Sequence, residues 1–152
     1  MDCNVEKLRK INCIFSETAG LYHKLNVLLG LSDSVSDILY LLYANDGCYS
    51  IRELCTDLDI PKQTVNSALR SLEKQEILFL ETYSGKKKRV VLTEKGMQFC
   101  NDTIAPIFQI EKLAFEEFTT SEIEAFVTLH EKYNAALSTH IDNYARLKNG
   151  RE

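Results

Sequence analysis

Between Ile60 and Leu80 the chain reads IPKQTVNSALRSLEKQEILFL, and two kinds of chemistry are interleaved in it. Lys62, Asn66 and Arg70 recur every four residues, so on a helix they stack along one face. Gln63 and Ser67 stand beside them. Amide side chains can bond adenine bidentately, and a guanidinium can bond guanine in the same way. A helix presenting these groups is suited to a DNA major groove, although any solvated helix face can carry the same residue types. Val65, Ala68, Leu69 and Leu72 follow the i, i+3, i+4, i+7 spacing of a buried stripe on the opposite side. The candidate contacts on this helix are Lys62, Gln63, Thr64, Asn66, Ser67 and Arg70.

A second cationic cluster follows. Ile77 to Tyr83 is β-rich, Ser84-Gly85 is a turn signal, and Arg89 to Leu92 returns as a strand. The expected hairpin has Ser84-Gly85-Lys86-Lys87-Lys88-Arg89 at its tip. Adjacent cations repel one another, and DNA phosphates or a narrow minor groove would relieve that repulsion. The competing reading is a lysine-blunted hairpin that resists edge-to-edge pairing.

Charge supports the nucleic-acid reading in one region only. The 152-residue chain carries a formal charge of −4. From Ile60 to Lys95, eight Lys and Arg stand against four Glu, so that segment is +4 and the remainder −8. A phosphate backbone feels the local patch rather than the average.

The elements that must position these groups can be read around them. A long helix is expected over 3–29, with Val5, Leu8, Ile11, Phe15, Leu21, Leu25 and Leu28 near the helical period and Gly30 at its C-cap. Ser32 is placed to cap a second helix through Ile38, Leu39, Leu41 and Leu42 to Ala44. Asn45-Asp46-Gly47 is a turn, and Cys48-Tyr49 a short strand. Ser50 with Glu53 is a capping box for a helix ending near Leu58. Asp59-Ile60-Pro61 breaks the chain, with Pro61 in the first turn of the next helix. Two short helices so joined make a helix-turn-helix. After the hairpin, Thr93 caps a helix running to Phe115 and kinked at Pro106. Thr119 to Glu122 caps a last helix, with Ile123, Phe126, His130, Tyr133, Leu137, His140, Ile141 and Tyr144 along one stripe.

The expected fold class is mainly α, an α+β winged helix. A winged helix-turn-helix DNA-binding core over 32–96 is flanked by dimerisation helices at 3–29 and 97–147, all within one domain of 1–152. A small core cannot cover both terminal apolar stripes, so a second copy is the expected cover.

The order and spacing of these pieces resemble the MarR family of bacterial transcriptional regulators. Leu31-Ser32, the Ser50-capped helix, TVNSALRSLEKQEIL and LTEKG at Leu92 to Gly96 carry the resemblance, which spans nearly the whole chain. It implies a homodimer on a pseudo-palindromic operator, usually a repressor, released by a small ligand, metal or oxidant. Ser50 and Arg52, at a helix N-terminus, are expected at the DNA backbone, and Lys86, Lys87, Lys88 and Arg89 in the wing. Family wings commonly carry an acid-x-Arg at the tip, whose Arg enters the minor groove. Ser84-Gly85-Lys86 stands there instead, so the wing is expected to supply affinity more than sequence reading. A phenolic effector in the cleft between the first two helices and the wing domain is implied, with Tyr22, His23 and Tyr40 as candidate lining. Some members sense oxidants through a first-helix cysteine, and Cys13 lies in that helix, but several residues nearer the second helix; a buried structural thiol is the expectation.

Other classes fare worse. There is no Gly-rich phosphate loop, metal motif or nucleophile–base spacing, so no enzyme, cofactor or metal is expected. His23, His130 and His140 are far apart. Five cysteines without a CxxC pair, and a start without a signal-peptide pattern, suggest a cytoplasmic protein. The longest apolar run, Ile38 to Ala44, is far short of a membrane span. The alternatives left open are a winged-helix module that meets protein rather than DNA, and a redox-sensing regulator using Cys13.

Overall fold

A computed structural model describes residues 3–85 and 87–149. In chain order the elements are α1 (Cys3–Leu28), α2 (Asp33–Ala44), β1 (Cys48–Ser50), α3 (Ile51–Asp57), α4 (Lys62–Lys74), β2 (Leu78–Ser84), β3 (Lys87–Leu92), α5 (Glu94–Thr103), α6 (Ala105–Phe115) and α7 (Thr120–Asn149). The mainly helical winged-helix class read from the sequence is the fold observed.

The apolar stripe of α4 is buried as its spacing requires: Val65, Ala68, Leu69 and Leu72 all face inward. They meet Ile38, Leu39 and Leu42 of α2, Leu54 of α3, and Ile77, Leu78, Val90 and Leu92 around the sheet. This single cluster fixes the back of α4, leaving its polar face outward. The sheet is antiparallel in the order β1-β3-β2. The short strand β1 thus pairs with the far arm of the hairpin, tying the wing to the start of α3.

The helix ends follow local chemistry, with three departures. Ser50 Oγ accepts from the Glu53 N–H at 3.4 Å and Thr93 Oγ1 from the Gly96 N–H at 2.9 Å. Thr119 and Glu122 form a reciprocal box: the Thr119 N–H donates to Glu122 Oε2 at 2.8 Å, and Thr119 Oγ1 accepts from the Glu122 N–H at 3.3 Å. Those carboxylate contacts hold the Glu122 carboxyl below its ordinary pKa. Ser32 is the first departure. It occupies the N-cap of α2 without using its side chain. Asp33 takes the first turn instead, where its charge suits the helix N-terminus. Asn26 Nδ2 donates to Asp33 Oδ1 at 3.0 Å, and His23 Nδ1 lies 3.0 Å from Asp33 Oδ2.

Pro61 is the second departure: it is the N-cap of α4 rather than its first helical residue. Its extended ψ of 134° lets its carbonyl accept from Thr64 and Val65, while Asp59, with φ +50°, makes the reversal between the helices. The third departure is at Pro106. One kinked helix was expected, but α5 and α6 are separate, with Ile104 between them. Pro106 has no N–H to return to the carbonyl four residues back, and its ring crowds that turn. Apolar packing still recovers both pieces, because Cys100, Ile104 and Ile107 are all in the core.

The chain divides into two compact units, one ending at Phe108 and one beginning at Gln109. The hydrophobic core of the first unit takes in α5 and the start of α6 through Cys100, Ile104 and Ile107. In the first unit, α1 and α2 are bent by 86° at a break containing Gly30. In the second unit, α7 has no buried residue, and Phe126, Leu137, Ile141 and Tyr144 are exposed. Along α1, Val5, Leu8, Ile11, Leu21 and Leu28 are likewise exposed. Among the described residues, no single helix is long and apolar enough to cross a membrane.

Candidate nucleic-acid interface

The outer face of α4 is the first surface to consider. Lys62, Gln63, Asn66, Ser67 and Arg70 line one shallow depression, so the four-residue spacing does bring them together. Thr64 is exposed beside them. Asn66 is half-buried, and the other five are exposed. Val65, Leu69 and Leu72 anchor the helix from behind, so these polar groups ride on a rigid support.

A larger groove of about 1070 Å³ joins this face to its surroundings. Its lining includes Lys62, Asn66 and Arg70 from α4, Ser50 and Arg52 from the start of α3, and Lys87 and Lys88 from β3. Three separate stretches of sequence therefore contribute cations to one concave surface. Ser50 is half-buried, and its hydroxyl is engaged in capping α3. Arg52 is exposed in the first turn of that helix.

Two acids, Glu53 and Asp57, also line the groove. The Tyr49 hydroxyl donates to Asp57 Oδ2 at 2.5 Å. That bond fastens β1 to α3 and pushes the Tyr49 phenol above its ordinary pKa. Tyr83 and Leu80 of β2 complete the wing side. The sequence reading missed Tyr83. Its only signal was an aromatic placed immediately before the Ser84-Gly85 turn, which is an ordinary strand residue by type.

The wing differs from the expected tip. Lys86 lies outside the described residues. Lys87, Lys88 and Arg89 are in strand β3, opposite Ser84, Thr82 and Glu81. Lys87 and Lys88 remain exposed. Arg89 does not share their position. Its Nε donates to Glu81 Oε2 at 2.6 Å, with both side chains about 40% exposed (40% and 42%). Its guanidinium also lies 5.5 Å from the centre of the Tyr83 ring. The cause of the departure is register: the turn closes at Gly85, φ +58°, so the cations begin the return strand instead of forming a loop.

The three residues expected around an effector have partners of their own. His23 meets Asp33, as described above, and Asn26 and His23 hold the Asp33 carboxyl below its ordinary pKa. Tyr40 stacks on Phe108, ring centres 4.2 Å apart and nearly parallel at 11°. Tyr22 is exposed on α1. Cys13, expected to be buried, is exposed on α1; among the described residues the buried thiol is Cys100, whose pKa burial pushes up to about 11. The stripe that Cys13 borders finds no cover within its own unit, which is why the expectation failed. His130 stacks at a tilt on Phe126, ring centres 4.6 Å apart, and His140 is exposed. Among the described residues, no three His, Cys, Asp or Glu gather as metal ligands.

Residues 29–89 match the sequence model of the MarR family. No curated protein matches the chain in sequence. Solved structures match it in fold. NMB1585, a MarR family regulator from Neisseria meningitidis, is similar with a TM-score of 0.78 at 18% identity, over 90% of this chain and 98% of that one. S. aureus MepR, solved as a DNA complex, is similar with a TM-score of 0.61 at 18% identity, over 90% and 99%. PcaV from Streptomyces coelicolor, solved with its natural ligand, gives 0.63 at 14% identity, over 82% and 91%. The segment matched by the family model runs from the end of α1 to Arg89, spanning the helix-turn-helix and most of the wing. Residues 29–89 thus carry the sequence pattern of the MarR family, and the chain as a whole has the winged helix-turn-helix fold of solved MarR family regulators.

Proposed function

We propose that this protein is a sequence-specific DNA-binding transcriptional regulator that acts as a homodimer on a pseudo-palindromic operator. The observation carrying this reading is the shared groove: Lys62, Asn66 and Arg70 face the same concavity as Arg52, Lys87 and Lys88. Amide and guanidinium groups on α4 would meet base edges in the major groove. Lys87 and Lys88, with Lys86 beside them in sequence, would neutralise flanking phosphates, as would Arg52 and the Ser50 end of α3. The solved MepR–DNA complex, on the same fold, supports duplex DNA as the occupant.

Homodimerisation rests on the exposed apolar residues of α1 and α7. Soluble monomers seldom leave long apolar helix stripes to water, and a second copy would bury each of them. Two copies would set their α4 helices for half-sites about one helical turn, roughly 34 Å, apart. Repression released by a small effector is the finer part of the proposal. It is supported by the ligand-bound PcaV structure on the same fold, and Tyr22, His23 and Tyr40 remain the candidate lining by resemblance alone. Redox control through Cys13 gains some support from that thiol's exposure.

Salt dependence of binding tests the reading. Binding to duplex DNA should weaken steeply with salt, with a log–log slope near −0.9 for each phosphate neutralised. A winged-helix module that meets protein would bind duplex DNA feebly or not at all, with a slope near zero. Selection from random duplexes should then return an inverted repeat.

A further inference from the structure

Tyr83 sits at a break in the register of the wing, and Arg89 in the regular pairing beside it. Pairing between β2 and β3 runs without interruption from Leu78↔Leu92 to Thr82↔Lys88, and then jumps to Ser84↔Lys87. Tyr83 is the extra residue, a β-bulge. Bulges re-aim a side chain out of the strict alternation of a strand and are common beside functional sites. Here the re-aimed ring lines the groove with Lys62, Asn66, Arg70, Lys87 and Lys88, and 47% of Tyr83 is exposed. Arg89, by contrast, is engaged on two sides. Glu81 lies directly across from it and takes its Nε–H, and the Tyr83 ring lies under its guanidinium. The carboxylate 2.6 Å away offsets the Arg89 charge and takes its Nε–H, which weakens what the guanidinium offers a phosphate.

We propose that Tyr83 is the wing's uncharged DNA contact, and that Arg89, held between Glu81 and the Tyr83 ring, is a positioning residue rather than a phosphate ligand. The inference rests on the DNA-binding reading above. A tyrosine suits the role: its ring is stiff, and its hydroxyl can donate to a phosphate or sugar oxygen without adding charge. Arg89 contributes by holding the ring at the rim, through its cation–π contact and the cross-strand pair behind it.

The test is a salt titration of binding by the full chain to a random-sequence duplex and to a duplex selected by the protein. The key variant is Glu81→Met with Arg89→Met, which removes both charges at once and leaves the net charge unchanged. Thermal unfolding checks that each variant is folded. The expected result is an unchanged salt slope and an affinity loss of about 3- to 10-fold, the size of one neutral hydrogen bond. Tyr83→Ala should lose a similar factor, and the triple variant no more than either, because all three act through one contact. Arg89→Lys, which keeps the cross-strand pair, should recover most of the binding. A slope reduced by about 0.9 in the paired variant makes Arg89 a phosphate ligand and overturns the inference. So does wild-type affinity in Tyr83→Ala, additive losses in the triple variant, or no recovery with lysine. A flat slope in the unmodified protein fails differently: it removes the DNA-binding reading itself.

Discussion

Single side chains divide here into those that face outward from a fixed helix and those that hold two elements together. Arg70 is of the first kind, exposed on the outer face of α4 with its neighbours Leu69 and Leu72 buried. Arg70→Ala should leave the fold intact. If Arg70 reads a guanine, the change should weaken operator binding by about 1–3 kcal/mol and relax preference at particular base pairs. Binding to a panel of single-base operator variants checks this, and an even loss across the panel would make Arg70 a phosphate contact. Asp33 is of the second kind. Hydrogen bonds from Asn26 and His23 lower its pKa from the ordinary 3.8. A carboxylate lowered on folding stabilises the native state at pH above its unfolded value, and that contribution disappears as pH falls through the folded value. Asp33→Asn should therefore be destabilising at neutral pH, with the difference from wild type shrinking below about pH 4. Urea midpoints measured against pH would show whether the two curves converge.

At the scale of elements, the wing is set by how the start of α5 docks on the turn that leads into β2. Gly96 lies against the backbone of Ile77: a Cβ there would stand 1.8 Å from the Ile77 carbonyl oxygen. Thr93 bonds the same corner, its hydroxyl donating to the Glu76 carbonyl at 2.7 Å while its N–H donates to the Ile77 carbonyl at 3.0 Å. Gly96→Ala has no flexible neighbour to move, so it should cost at least about 1–3 kcal/mol and lower the melting temperature. A melting curve matching wild type would mean that the corner opens easily. The hairpin itself carries the electrostatic prediction. Lys87→Ala with Lys88→Ala should weaken binding to all duplexes alike and flatten the salt slope by roughly 0.9 for each phosphate lost. An unchanged slope would take β3 out of the DNA contact. Much of this element level was legible beforehand. The stripe of α4, the caps at Ser50, Thr93 and Thr119, and the turn at Ser84-Gly85 are local features, and local geometry obeys short-range spacing. Pro106 was misjudged because whether a proline bends or ends a helix depends on what packs on either side of it. The bulge at Tyr83 was invisible because register is a relation between two strands.

For the whole molecule, the exposed stripes matter most. Ile141 of α7 is 57% exposed in the single chain, and Tyr144 69%. If a second copy covers them, Ile141→Glu should shift the protein toward monomer, because a buried unpaired charge is expensive. It should also sharply reduce operator affinity, since two linked half-sites bind far more tightly than one. Sedimentation with and without the substitution decides it, and a wild-type monomer would sink the dimer outright. The sequence alone determined the order of elements, the buried back and polar front of α4, and the local positive charge, because each follows from periodicity, capping or counting within a short stretch. Only the tertiary structure decided that Ser50, Arg70, Tyr83 and Lys88 share a groove, that Arg89 is bound to Glu81 rather than offered at the tip, that Cys13 is exposed while Cys100 is buried, and that the core continues to Ile107. Those are contacts between residues distant along the chain, and a side chain's role there depends on which neighbour folding brings within about 3–4 Å of it.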